Sequence, residues 1–145
     1  MDLRKFSLAG LAVATIAIVS LVFSESLFAA EPVGITIQVL AALLMLWARL
    51  TFGRRSFHAS ASPSEGGLMT TGPYRFLRHP IYAAILYFVW TGVASHVSML
   101  SCGLGIFVSM GLTIRMLAEE RLVQEKYPEY TQYAARTKRV IPYIL

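Results

Sequence analysis

"IYAAILYFVWTGVASHVSMLSCGLGIFVSMGLTI", residues 81–114, contains no Lys, Arg, Asp or Glu. One membrane crossing takes roughly 20 apolar residues. The run is therefore long enough for two, with a turn near "ASHVS" (94–98), where His96 is the one side chain able to carry a positive charge. Working outward, "FSLAGLAVATIAIVSLVF" (6–23) and "VGITIQVLAALLMLWA" (33–48) are also without charge. The expectation is an all-α integral membrane protein with about four transmembrane helices, over 6–23, 33–52, 80–95 and 97–117. A cytoplasmic C-terminal helical segment (118–145) follows, and the whole of 1–145 reads as one domain too small to divide.

Composition agrees. Hydrophobic residues make up 56% of the 145 and charged residues 14%, where a soluble domain carries about a quarter charged. A signal peptide is the rival reading of the first run. Its apolar core would be only about 7–15 residues long, however, and would end on a small residue, whereas Leu27 and Phe28 stand where cleavage would occur. A retained helix is expected. The thirteen Lys and Arg fall into three groups: Arg4 and Lys5; Arg49, Arg54, Arg55, Arg75 and Arg78; and Arg115, Arg121, Lys126, Arg136, Lys138 and Arg139. Basic residues mark the cytoplasmic side, which places both termini and the 53–80 connection there. The net charge of +5 then serves topology and contact with membrane lipids. It argues against a nucleic-acid partner, because membrane spans split the basic residues and no recognition motif is present. Cys102 is the single cysteine and reads as a packing residue in "SCGLG". His58, His79 and His96 are scattered without CxxC or HxxxH spacing, so no metal site is expected.

"FGRRSFHASASPSEGGLMTTGPYRF" (52–76) is the one long polar connection, rich in Ser, Gly and Pro. After the last span, "RMLAEERLVQEKYPEYTQYAARTKRV" (115–140) is polar and helix-permissive, broken at Pro128. It could lie on the membrane with Leu117, Leu122, Tyr127, Tyr130 and Tyr133 turned inward. Trp47, Tyr87, Phe88 and Trp90 read as interfacial anchors or packing, and Met69, Met99, Met110 and Met116 as packing.

Two clusters could do chemistry. In "GPYRFLRHPIY" (72–82), Pro80 suits the first position of a helix, and Tyr74, Arg75, Arg78, His79 and Tyr82 gather at its start. A helix N-terminus attracts anions, and a guanidinium beside it can clamp a carboxylate or phosphate. In "RMLAEER" (115–121), Glu119 and Glu120 stand near a helix C-terminus, where the dipole disfavours negative charge. Arg115 and Glu119 could pair, in the less favourable base-before-acid order. A helix running on to Lys126 would instead make the acids ordinary solvated residues. Both clusters fall at the adjoining ends of one helical hairpin, an arrangement suited to a zwitterion carrying carboxylate and ammonium.

"TTGPYRFLRHPIY", followed after the hairpin by "EERLVQEKYPEYTQYAARTKRVIP", resembles the isoprenylcysteine carboxyl methyltransferase family, which is related to the phospholipid N-methyltransferases. The resemblance covers residues 70–145. It implies a membrane methyltransferase using S-adenosylmethionine, held in a cytoplasm-facing pocket. By position, Tyr74, His79, Pro80 and Tyr82 would hold the cofactor, Glu120 or its neighbour Glu119 would take its α-ammonium, and Tyr130 and Tyr133 would belong to a tail folded over it. Arg78, Arg115 and Glu119 would be the catalytic group, the arginines orienting carboxylates. The partner would be a lipophilic or prenylated acceptor entering from the membrane. A carboxylate acceptor needs no base. An amine acceptor needs a proton removed, by His79 or Glu119, and the residues leave that choice open, as they leave the oligomeric state. The rivals are a small multi-pass transporter, a steroid-reductase-type enzyme using a nicotinamide cofactor, and a non-catalytic membrane scaffold. Glu25 and Glu31 lie at the outer edge of the first hairpin rather than mid-span, which argues against the transporter.

Overall fold

The computed structural model describes residues 3–53 and 67–141. Arg54, Arg55 and His58 of the polar connection, and the chain beyond Ile141, lie outside the described residues. Among the described residues five α-helices follow in order: α1 (Leu3–Phe23), α2 (Pro32–Phe52), α3 (Pro80–Ser95), α4 (Met99–Lys126) and α5 (Tyr130–Arg136). A 3-10 turn at Gly72–Arg75 precedes α3. α1, α2 and α4 are long and apolar enough to cross a membrane, and α3 is a shorter apolar helix. The protein is thus an all-helical, multi-pass integral membrane protein.

The starts of these helices follow from their sequences. Pro32 and Pro80 occupy first-turn positions of α2 and α3, where the missing N–H costs nothing. Ser98 caps α4 in a reciprocal box with Ser101. α4 runs nine residues past the expected span end at 117, to Lys126, the longer of the two readings. "AEERLVQEK" contains no breaker, and the helix stops at Tyr127 (φ −125°, ψ 97°), the residue that Pro128 forces out of the helical region.

α1 lies along α4. Its buried stripe is Ser7, Gly10, Ala14, Ala17 and Leu21, small residues at three- and four-residue spacing that let two helices approach closely in an apolar medium. The approach is closest at Gly10 and Gly111, where a Cβ on either residue would stand 2.5 Å from the other's carbonyl oxygen. α2 lies along α3. Buried Gln38 of α2 donates to the carbonyls of Leu27 (2.8 Å) and Phe88 (3.0 Å) and accepts from Ala29 N–H (3.0 Å). A polar group inside the bundle is thereby satisfied, and the α1–α2 connection is fastened onto α3. Ser95 Oγ donating to Glu31 Oε1 (2.8 Å) and His96 Nε2 donating to Phe28 O (2.9 Å) close the same end of the bundle.

The other end gathers the start of α1, the end of α2, the start of α3 and the end of α4. There Gly72 (φ +58°) lies so close to Thr51 of α2 that a Cβ would stand 2.6 Å from its Oγ1. Residues after α5 run beside the segment before α3, paired in parallel at Leu77 and Lys138. Arg78 N–H donates to Lys138 O (2.6 Å), His79 N–H to Arg139 O (3.1 Å) and Lys138 N–H to Phe76 O (3.1 Å). The Tyr87 hydroxyl donates to Val140 O. This C-terminal strap is the extended piece that the helical tail reading lacked.

Two packing expectations change. Leu117 is 42% exposed rather than inward, because the continued α4 turns Arg115, Met116 and Ala118 to the interior instead. Met116 packs in the core, whereas Met99 and Met110 are exposed on the apolar outer surface.

Candidate functional site

The segment Tyr74–Tyr82 and the stretch Arg115–Glu120 meet at the basic end of the bundle. Pro80 and Tyr82 sit in the first turn of α3, with His79 at its cap position. Arg115, Glu119 and Glu120 lie within α4, not at its terminus. The expected conflict between acids and helix dipole therefore does not arise. Neither are the acids ordinary solvated residues: the Glu119 side chain is 22% exposed and that of Glu120 12%.

Glu119 belongs to a short relay. Tyr82 hydroxyl donates to Glu119 Oε1 (2.6 Å) and accepts from Arg115 Nε (2.5 Å). Arg115 Nε is also 3.1 Å from Glu119 Oε1, so the i,i+4 pair forms with a phenol wedged across it. Glu120 is surrounded by side-chain nitrogens. His79 Nε2 lies 3.1 Å from its Oε1, and Arg78 Nε 3.2 Å from the same oxygen. His79 also links the two acids, its Nδ1 standing 4.0 Å from Glu119 Oε2.

Arg78 is fixed from behind, its Nη1 donating to Ala134 O (2.7 Å). Its buried Nε makes no aligned hydrogen bond despite the proximity of Glu120. A buried donor without an acceptor is costly, and this one suits a ligand oxyanion.

The tail packs against this cluster. Tyr130 is buried, its ring 5.9 Å from that of Tyr133. Tyr133 hydroxyl donates to Tyr74 O (2.8 Å), and the Tyr74 ring packs on Phe52 of α2 at 5.4 Å. Tyr74 therefore meets the tail through its backbone. Burial pushes the Tyr133 phenol up from 10 to about 12. It raises those of Tyr74 and Tyr130 as well, with neighbouring phenols and acids adding to the effect, so all three are neutral donors at neutral pH.

Sequence reasoning missed Arg139. Its Nε donates to both oxygens of Glu120 (3.2 Å each) and its Nη2 to Oε2 (3.0 Å). The Glu120 bonds raise the affinity of this guanidinium for its proton. "RTKRV" showed a basic tail, but nothing in its spacing told which of its cations returns to α4. All ten expected site residues are at this end of the bundle: Tyr74, Arg78, His79, Pro80, Tyr82, Arg115, Glu119, Glu120, Tyr130 and Tyr133. Two carboxylates, three guanidiniums and several phenols gathered here have the chemistry that an ammonium and a carboxylate would pair with. Among the described residues, no three His, Cys, Asp or Glu are grouped to hold a metal ion.

Comparison with known proteins bears on this arrangement. The sequence model of the isoprenylcysteine carboxyl methyltransferase family matches residues 34–127, more than half of the chain. The nickel-cobalt-cadmium resistance protein NccN of Alcaligenes xylosoxydans xylosoxydans is 28% identical over 121 residues, 82% of this chain and 51% of the relative. The cobalt-zinc-cadmium resistance protein CzcN of Cupriavidus metallidurans is 25% identical over 138 residues, 90% of this chain and 60% of the relative. The chain thus spans about half to three-fifths of the length of these relatives. No solved structure matches it.

Proposed function

The chain belongs to the isoprenylcysteine carboxyl methyltransferase family, and from that premise we propose that it methylates a lipophilic acceptor at the cytoplasmic membrane face with S-adenosylmethionine as donor. The observation that carries this reading is the contact of "RHPIY" with "AEER": Glu120 within 3.2 Å of Arg78 and His79, beside Arg115, Tyr82 and Glu119.

The donor set suits the amino-acid part of S-adenosylmethionine. Glu120 offers a carboxylate to its ammonium, and the buried, unaligned Arg78 Nε offers a donor to its carboxylate. Tyr130 and Tyr133 offer aromatic faces, which attract a cationic sulfur. When bound, the group supplies a methyl carbon already activated by that positive charge.

The residues of this chain then have to aim and to exclude water. Alignment of two reactants supplies roughly 7–11 kcal/mol. A carboxylate acceptor is oriented by Arg115, which Tyr82 and Glu119 hold in place on α3 and α4. An acceptor bearing a proton hands it to His79 or Glu119. The tail tyrosines and the strap close the site, while the lipophilic body of the acceptor stays between helices in the bilayer. A prenylcysteine-type carboxylate or a related lipid has this shape.

The relatives are named for resistance to metal ions. Our reading connects this chain to such a role through modification of a membrane-borne molecule.

Calorimetric titration of the detergent-purified protein with S-adenosylhomocysteine and with NADPH tests the proposal. Binding of the first alone is expected. Binding of NADPH alone would make it a reductase, and binding of neither would favour a transporter or scaffold. Mass spectrometry of lipid extracts after incubation with isotopically labelled methyl donor then identifies the acceptor.

A further inference from the structure

Glu120 presents a difficulty for its proposed role. Both of its oxygens accept from Arg139, and Oε1 also faces His79 and Arg78. A carboxylate has about four lone-pair sites, and here all are turned toward nitrogens of the same chain. A ligand ammonium can reach Glu120 only if one of them leaves.

The three partners are not equally free to go. His79 stands at the cap position of α3, 9% exposed, between both acids. Arg78 is 12% exposed and anchored to Ala134 O. The Arg139 side chain is 42% exposed, and its hydrogen bonds go to Glu120. Its backbone, by contrast, is secured at His79 N–H, with Lys138 and Val140 fastened on either side. The guanidinium can therefore turn away on its flexible stem without unfastening the strap.

We propose that Arg139 is an exchangeable latch: its guanidinium holds Glu120 until a ligand ammonium takes that place, then turns to the carboxylate of the same ligand. This rests on the methyl-donor reading and adds to it a rule for ligand choice. A zwitterion compensates both halves of the exchange, because the ammonium replaces the guanidinium on Glu120 and the carboxylate receives the guanidinium released. A ligand with the ammonium alone breaks the Arg139–Glu120 pair and leaves Arg139 without an anion.

The test compares S-adenosylhomocysteine with its decarboxylated counterpart, which keeps the ammonium, by calorimetry on wild-type protein and on Arg139→Gln. The wild type is expected to prefer the zwitterion by roughly tenfold or more, the scale of one charge-assisted contact. Arg139→Gln should bind S-adenosylhomocysteine more weakly than wild type and the decarboxylated ligand more tightly, a crossed response that general destabilisation cannot produce. If both ligands weaken in the same proportion, or the variant keeps the wild-type preference, the latch is wrong while the methyl-donor reading stands. If wild-type protein binds neither ligand, both ideas fall. Arg139→Lys, which keeps the charge and loses the two-pronged grip, serves as a second variant. A preference between those of wild type and Arg139→Gln supports the latch, and an unchanged preference overturns it.

Discussion

Tyr82 stands between charges of opposite sign, accepting from Arg115 and donating to Glu119. Tyr82→Phe keeps the ring and removes both bonds, at a cost of about 1–3 kcal/mol when polar partners are left unsatisfied. We expect a lower unfolding temperature in detergent together with slower methyl transfer. A variant as stable and as active as wild type would remove the relay from the argument. Arg78→Ala and Glu120→Ala should each abolish methylation while membrane insertion, read by fractionation, is unchanged. Turnover at the wild-type rate in either would strip that residue of its role. "RHPIY" and "AEER" could be recognised along the chain because each is a local pattern. The Arg139–Glu120 pair could not, because 19 residues separate its members and several nearby cations are equivalent in sequence.

Among the elements, the α1–α4 pair depends on absent side chains. Gly111→Val would push a branched side chain against the Gly10 carbonyl, and overpacking of this kind costs about 1–3 kcal/mol. A lowered melting temperature or an aggregated elution profile is the expected result, and normal behaviour would show that the close crossing is dispensable.

The C-terminal strap and α5 make a second test. Truncation before Tyr127 removes Tyr130, Tyr133 and Arg139 and should sharply weaken binding of S-adenosylhomocysteine. Unchanged affinity would refute the covering role. Alkaline pH probes the same element. Burial raises the Tyr133 phenol from 10 to about 12, so between these values the docked tail holds a proton that the undocked tail releases. The contribution of this phenol to docking is therefore fully present below pH 10 and is lost as pH climbs toward 12. A component of the phenolate absorbance that is lost in Tyr133→Phe and appears near the upper value, together with loss of ligand binding, is the expected signature. Titration of every tyrosine near 10 would contradict it.

At the scale of the whole molecule, the charge pattern predicts both termini and the 53–80 connection on the cytoplasmic face. In a Cys102→Ser background, single cysteines at Ala30 and Lys138 should react with an impermeant thiol reagent from opposite sides of the membrane. Labelling from one side alone would overturn that topology. The all-helical class and the presence of long apolar helices were determined by sequence alone, because the bilayer sorts residues by polarity and length, and both are written along the chain. The end of α4 was legible too, once Pro128 is allowed to govern Tyr127. Only the tertiary structure decided that α1 takes α4 as its neighbour, that the tail returns as a strap beside Leu77–His79, and that Arg139 closes on Glu120. Those choices depend on which surfaces fit and which partly buried charges find partners, and such pairings at long range leave no periodic trace in the sequence.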